Sequence, residues 1–205
     1  MKVKICGIKT AEAALHAAAA GADALGFVFA PSKRQITPGE AKAIIQELPE
    51  AVWKVGVFVN EPPEKVASIA ELAGLTHIQL HGEESPGDYM KIGRPLIKAY
   101  SIRDKEDITI IDYETSDYVL LDSPPATYKG GNGMSFDWNV ASGAKRGRNV
   151  ILAGGLDPDN VQTAIDKVRP FMVDVSSGVE TEGKKDLRKI GRFIEIAKAG
   201  EDEGI

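Results

Sequence analysis

Eight short β-rich runs alternate with segments of helical composition along the whole of this chain. The runs cover residues 3–6, 24–29, 53–59, 77–80, 95–100, 118–122, 150–153 and 171–175. Residues 11–20 are nearly pure alanine, with Gly21 placed as a C-cap. Thr37-Pro38-Gly39-Glu40 reads as a capping box with proline at the first helical position. Asp157-Pro158-Asp159-Asn160 opens a helix in the same way, and 186–199 is the last and longest helix. Strict βα alternation predicts a parallel sheet. Eight units predict closure into a (β/α)8 TIM barrel, with an open doubly wound sheet as the alternative. A typical barrel has roughly 250 residues. With 205 residues this one has room only for short loops. No linker divides the chain, so residues 1–205 read as one domain with a frayed tail at 201–205.

Composition narrows the function. The chain is 43% hydrophobic and 27% charged, enough for one sizeable core, with a formal net charge of −5. There is no basic block, so nucleic acid is not an expected partner. No apolar run approaches the roughly 20 residues of a membrane span. Met1-Lys2-Val3-Lys4 runs straight into a strand, unlike a signal peptide. One cysteine in the chain cannot form an internal disulfide, which suits a cytoplasmic location.

That cysteine, Cys6, ends the first strand and precedes Gly7. The C-terminal mouth of a barrel strand is where this architecture carries reactive groups. Asp122 ends the sixth strand in the same way, so proton transfer is the first hypothesis. Each residue also has a plainer reading. A free cysteine packs as a small hydrophobe, and a strand-end aspartate caps the next loop. Asp174, near the end of strand eight, competes with Asp122 for the acid role. An unperturbed thiol is only about 3% thiolate at pH 7, so a catalytic Cys6 needs a cation or dipole nearby. Lys4 shares its face of the strand. Lys4 is then either a buried cation that needs an acidic partner or a lysine snorkelling to water at the barrel's bottom.

Two glycine-rich stretches, Ala153-Gly154-Gly155-Leu156 and Ser176-Ser177-Gly178-Val179, follow strands seven and eight. Those two loops often bind phosphate in barrels. Glycine lets backbone N–H groups approach oxygens closely, and a helix N-terminus adds positive potential. His77, Gln79 and His81 alternate along strand four. No carboxylate motif joins the two histidines, so no metal is expected, and Gln79 and His81 read as polar groups of the mouth. Ser32-Lys33-Arg34 follows strand two, where an arginine is either solvated or clamps a carboxylate. Lys129-Gly130-Gly131-Asn132-Gly133 follows strand six and reads as a mobile loop or lid.

Taken together these stretches resemble the phosphoribosylanthranilate isomerase family of tryptophan biosynthesis. The resemblance rests on Val3-Lys4-Ile5-Cys6-Gly7-Ile8, residues 21–29, Ser32-Lys33-Arg34, residues 55–60 and Gln79-Leu80-His81-Gly82. It continues through Leu120-Leu121-Asp122, Gly131-Asn132-Gly133, Phe136-Asp137-Trp138, Ala153-Gly154-Gly155-Leu156 and residues 173–180. The resemblance implies an Amadori rearrangement of N-(5-phosphoribosyl)anthranilate to 1-(2-carboxyphenylamino)-1-deoxyribulose 5-phosphate. It implies Cys6 as general base, Asp122 as general acid and Arg34 as the partner of the anthranilate carboxylate. Gly154, Gly155, Ser177 and Gly178 fall in the family's phosphate loops, and His81 and Asp174 match residues of the mouth. No cofactor or metal is implied. The expected partner is a small phosphorylated substrate, and the expected state is monomer or homodimer.

Two other classes compete. Another sugar-phosphate barrel enzyme, an epimerase or a lyase, would want a metal, paired carboxylates or a lysine–glutamate pair at strand ends. A barrel that only binds a phosphometabolite would keep the glycine loops without needing Cys6 and Asp122.

Overall fold

The computed structural model describes residues 1–109, 115–123, 138–141 and 149–199. Eight parallel strands close on themselves in chain order. They are β1 (Lys2–Cys6), β2 (Ala24–Val28), β3 (Trp53–Phe58), β4 (His77–Leu80), β5 (Leu96–Ser101), β6 (Tyr118–Asp122), β7 (Asn149–Leu152) and β8 (Met172–Val175). Closure comes from β1 pairing with β8, with Lys4 opposite Asp174. The open-sheet alternative is excluded, and each strand lies within one residue of its expected bounds at either end.

The outer layer holds α1 (Ala11–Ala19), α2 (Pro38–Ile45), α3 (Pro63–Ala73), α4 (Lys105–Thr109), α5 (Trp138–Ala141), α6 (Val161–Val168) and α7 (Leu187–Ala199). α2 has the expected capping box: Thr37 and Glu40 satisfy each other's backbone N–H groups. α6 departs from expectation. Asp157 Oδ1 accepts from the N–H groups of Asp159 and Asn160, and that turn delays the helix to Val161 with no proline at its start. Between β4 and β5 a 3-10 segment, Pro86–Ile92, stands where a helix is usual. Lys98 on the outer face of β5 is buried there, donating to the Gly82 carbonyl and facing Glu84. The strand-six loop stretch Lys129–Gly133, the residues Phe136 and Asp137, and the tail 201–205 lie outside the described residues.

The strand period of two divides the core. Val3, Ile5, Leu25, Phe27, Ile78, Leu80, Val119, Leu121, Val173 and Val175 face the helices in one apolar layer. The alternate positions Ala24, Val55, Ile97, Leu120, Ile151 and Met172 form a second, smaller cluster inside the barrel. Above that cluster, at the C-terminal strand ends, the inward positions turn polar.

Candidate active site

Inward parity brings the expected residues together. Cys6, Arg34, His81 and Asp122 line one cavity of about 380 Å³ at the strand C-termini. Gly154, Gly155, Asp174 and Ser177 complete its wall. This volume falls in the usual range for small-molecule sites. Gly178 stands just behind. A Cβ there would lie 1.9 Å from the Leu156 carbonyl oxygen. Only glycine lets the loops after β7 and β8 press together, and that contact shapes the glycine-lined end of the cavity. After β8 the chain makes only a three-residue 3-10 turn, Ser177–Val179. The loop after β8 therefore lacks the full helix N-terminus that the sequence suggested there.

Lys4 settles the choice left open by the sequence. It is fully buried beneath Cys6, and its ammonium donates to Asp174 Oδ2 at 2.7 Å. Burial works against the charged lysine, but the Asp174 carboxylate and the Cys6 sulfur outweigh it and hold its pKa above the ordinary value. Asp174 is thereby committed to Lys4 on one oxygen. Its other oxygen, Oδ1, is buried without a hydrogen-bond partner among the described residues. Burial also pushes the Asp174 carboxyl up, against the pull of Lys4.

Burial pushes the Cys6 thiol up as well, with Lys4 and Lys185 pulling the other way and Asp174 adding to the rise. The cations the sequence called for are present, yet they do not overcome desolvation. Two ion-paired groups of the mouth, Lys4 with Asp174 and Arg34 and Lys185 with Glu180, together hold three cations against two carboxylates. One positive charge is left over, and a thiolate or a substrate anion can neutralise it.

Asp122 is half-buried. His81 Nε2 stands 3.4 Å from its Oδ2, and His81 Nδ1 meets the Gln79 side-chain amide at 2.9 Å. Asp122 and Cys6 belong to strands three steps apart around the barrel, so their side chains approach the cavity from different sides. His77, at the start of β4, lies at the opposite end of the strand from His81, stacked on Trp53 with ring centroids 4.0 Å apart. Among the described residues no group of three His, Cys, Asp or Glu side chains could hold a metal.

Arg34 already holds one carboxylate of the chain. Its Nε and Nη2 donate to the two oxygens of Glu180 at 2.7 and 2.8 Å. The side edge of the fork is therefore occupied, and a ligand can meet only the outer Nη1–Nη2 edge. The Glu180 pKa falls to about 2 because hydrogen bonds from Arg34 and Lys185 overcome its desolvation. Sequence reasoning missed Glu180 and Lys185 as functional candidates. Glu180 closes the last matching motif, but nothing in its spacing shows that it reaches Arg34.

With this geometry in hand, comparisons with known proteins agree on one family. The family model of N-(5'-phosphoribosyl)anthranilate isomerase matches residues 3–196. The chain belongs to that family. It is 53% identical over 200 residues to the N-(5'-phosphoribosyl)anthranilate isomerase of Bacillus mycoides strain KBAB4, covering 97% of this chain and 98% of the relative. The Thermotoga maritima phosphoribosyl anthranilate isomerase superposes with a TM-score of 0.89 at 46% identity, over 97% of this chain and 99% of that one. A phosphoribosyl anthranilate isomerase in complex with reduced 1-(o-carboxyphenylamino)-1-deoxyribulose 5-phosphate superposes with a TM-score of 0.86 at 45% identity, over 97% of this chain and 99% of that one.

Proposed function

We propose that this chain catalyses the Amadori rearrangement of N-(5-phosphoribosyl)anthranilate in tryptophan biosynthesis. The observation that carries the reading is one cavity holding Cys6 and Asp122 on separate walls, with glycine loops and an arginine edge beside them. Family membership supports it. Asp122, as the acid, gives a proton to the ribose ring oxygen. The C1′–O bond breaks and leaves an iminium at C1′ and a free 4′-hydroxyl. Cys6, as a thiolate, removes the C2′ proton, whose bonding electrons form the C1′=C2′ bond of an enolamine. Ketone formation then needs a proton at C1′ and loses one from the 2′-hydroxyl. If Cys6 returns its proton to C1′ and Asp122 takes the hydroxyl proton, both groups finish as they began.

The remaining residues bind. Backbone N–H groups around Gly154, Gly155, Ser177 and Gly178 take the phosphate. The outer edge of Arg34 takes the anthranilate carboxylate. Asp174 holds Lys4 under the thiol, and His81 orients Asp122. The enzyme works as a monomer or homodimer on a small phosphorylated substrate, in the cytoplasm. Loss of anthranilate fluorescence on adding phosphoribosylanthranilate tests the assignment. Turnover that persists in EDTA is expected. No turnover by the folded protein would refute it and leave the phosphometabolite-binding barrel as the better reading.

A further inference from the structure

One small element stands outside the eightfold alternation. After β8 the chain forms a hairpin of two-residue strands, β9 (Glu180–Thr181) and β10 (Lys184–Lys185). Glu182 and Gly183 turn it, with φ of 52° and 76°. Two successive positive φ values give the turn that suits a two-residue hairpin loop. A ribbon this short does not stand alone in water. It is tied to the start of α7: the Asp186 N–H donates to the Val179 carbonyl, Thr181 Oγ1 to Asp186 Oδ2, and Lys189 Nζ to the Glu180 carbonyl.

The hairpin delivers two side chains to the mouth. Glu180 receives Arg34 through two hydrogen bonds, and Lys185 Nζ donates to Glu180 Oε1 at 2.7 Å. Lys185 also donates to the Ser176 carbonyl at 2.9 Å, and Ser176 Oγ donates to the Cys6 carbonyl. Paired with Glu180 alone, Arg34 would be neutralised and would draw no anion. Lys185 restores a net positive charge to the group. The Nη1 group of Arg34 has no partner among the described residues, while its Cδ rests over Gly7 where a Cβ would stand 2.5 Å away. The guanidinium is thus fixed from its side and from beneath, with one edge free.

We infer that Glu180 is a positioning residue: it aims the outer edge of Arg34 at the ortho carboxylate of the aryl ring and so makes the site selective for carboxylated arylamine substrates. Lys185 keeps Glu180 in place and supplies the charge that Glu180 would otherwise cancel. This rests on the reading that Arg34 meets the carboxylate.

The test compares two inhibitors, reduced 1-(o-carboxyphenylamino)-1-deoxyribulose 5-phosphate and the same molecule with an unsubstituted phenyl ring. The unmodified enzyme is expected to prefer the first by about ten- to hundredfold, the range of a charged hydrogen-bonded contact. In Glu180→Gln the preference should shrink to a few-fold, while the phenyl compound binds as before. Glu180→Asp should recover part of it, and Lys185→Gln should also weaken it. Equal loss of both inhibitors in Glu180→Gln would make the hairpin merely structural and overturn the inference. So would a preference left intact. Should Glu180→Gln melt below the assay temperature, Lys185→Gln and Glu180→Asp decide by the same ratio. Arg34→Lys is the control for the underlying reading. If it retains the full preference, the Arg34 assignment fails; if it loses the preference and the Glu180 and Lys185 variants do not, only the positioning role fails.

Discussion

At the N-terminal end of the barrel, β3, β4 and β6 turn Trp53, His77 and Tyr118 inward, and Phe171 joins them just before β8. Four residues further on, β4 and β6 turn His81 and Asp122 into the cavity, and β1 offers Cys6 above Lys4. That step along a strand is about 13 Å. It carries each strand from a floor closed by stacked rings to a mouth lined by ions. The floor is packed by groups that gain from leaving water. Among the described residues the mouth keeps a buried ion pair, a raised thiol and a carboxylate oxygen without a hydrogen-bond partner, each costly by itself. The same alternation builds both ends, so the fold does not require the mouth to be polar. Chemistry does. The two ends should therefore fail differently when altered: variants of the groups that line the cavity in turnover, floor variants in stability alone, and the buried Lys4–Asp174 pair beneath Cys6 in both.

Cys6→Ala should break the comparison most sharply. General acid–base catalysis contributes typically about 10²–10⁴-fold, so kcat should fall by that factor with the melting temperature little changed. Asp122→Asn should do the same, and the reduced product analogue should still bind both variants. A folded Cys6→Ala enzyme keeping more than about a tenth of its kcat, outside that range, would mean that another group is the base. Because burial raises the thiol, kcat should climb with pH through and beyond the ordinary thiol range; a plateau already reached near pH 6 would contradict the assignment.

Lys4 tests whether the mouth's ions cost stability. It is fully buried against Asp174. Lys4→Met leaves that carboxylate unpaired, and breaking a buried pair in this way costs about 3–5 kcal/mol. Urea unfolding of Lys4→Met should show a loss of that size. Lys4→Met with Asp174→Leu should restore most of the stability and none of the turnover. A double variant as unstable as the single one would show that shape, and not charge, holds this layer together.

Much of this was legible in the sequence because it depends on period and position. Alternation fixed which side of β1 carries Lys4 and Cys6, and the strand-end rule placed Asp122 and the glycine loops. What escaped depends on contacts distant in the chain. Glu180 meets Arg34 across 146 residues, and no local pattern encodes that reach. The β9–β10 hairpin has two residues per strand, too few to show alternation. The buried pair of Lys98 and Glu84 joins residues 14 apart in the chain, and no motif marked either one. Asp157-Pro158 carried a helix-start signal, but its aspartate spends its carboxylate within a turn.

Gly155→Asp sharpens the comparison within the mouth itself. Gly155 has φ of 65°, a region that aspartate enters more readily than most residues, so the fold should survive. The new carboxylate would sit where the phosphate is proposed to bind. KM should rise by about a hundredfold, the size of a charge-assisted contact turned repulsive, while kcat at saturation changes less. Steady-state kinetics on the folded variant give the answer, and an unchanged KM would remove the phosphate from this loop.

The smallest effect belongs to the floor and shows in stability alone. His77 is buried, stacked on Trp53 and hydrogen-bonded through Nδ1 to Thr76 Oγ1 at 2.9 Å. Desolvation lowers its pKa to about 4, against a weaker opposing pull from Asp117. The unfolded chain takes up this proton near pH 6.5, so between those two values it binds more protons than the folded protein. The contribution of His77 to stability is therefore complete above about pH 6.5 and drains away as the pH falls towards 4. At pH 5 the loss should be about 2 kcal/mol. His77→Phe keeps a ring in the stack and has nothing to titrate. Subtracting its urea-unfolding free energies from those of the unmodified protein, pH by pH, should leave a slope confined to that window. Equal slopes in the two proteins would show that the floor histidine already carries its proton when folded, and that the aromatic end of the barrel is less dry than its stacking implies.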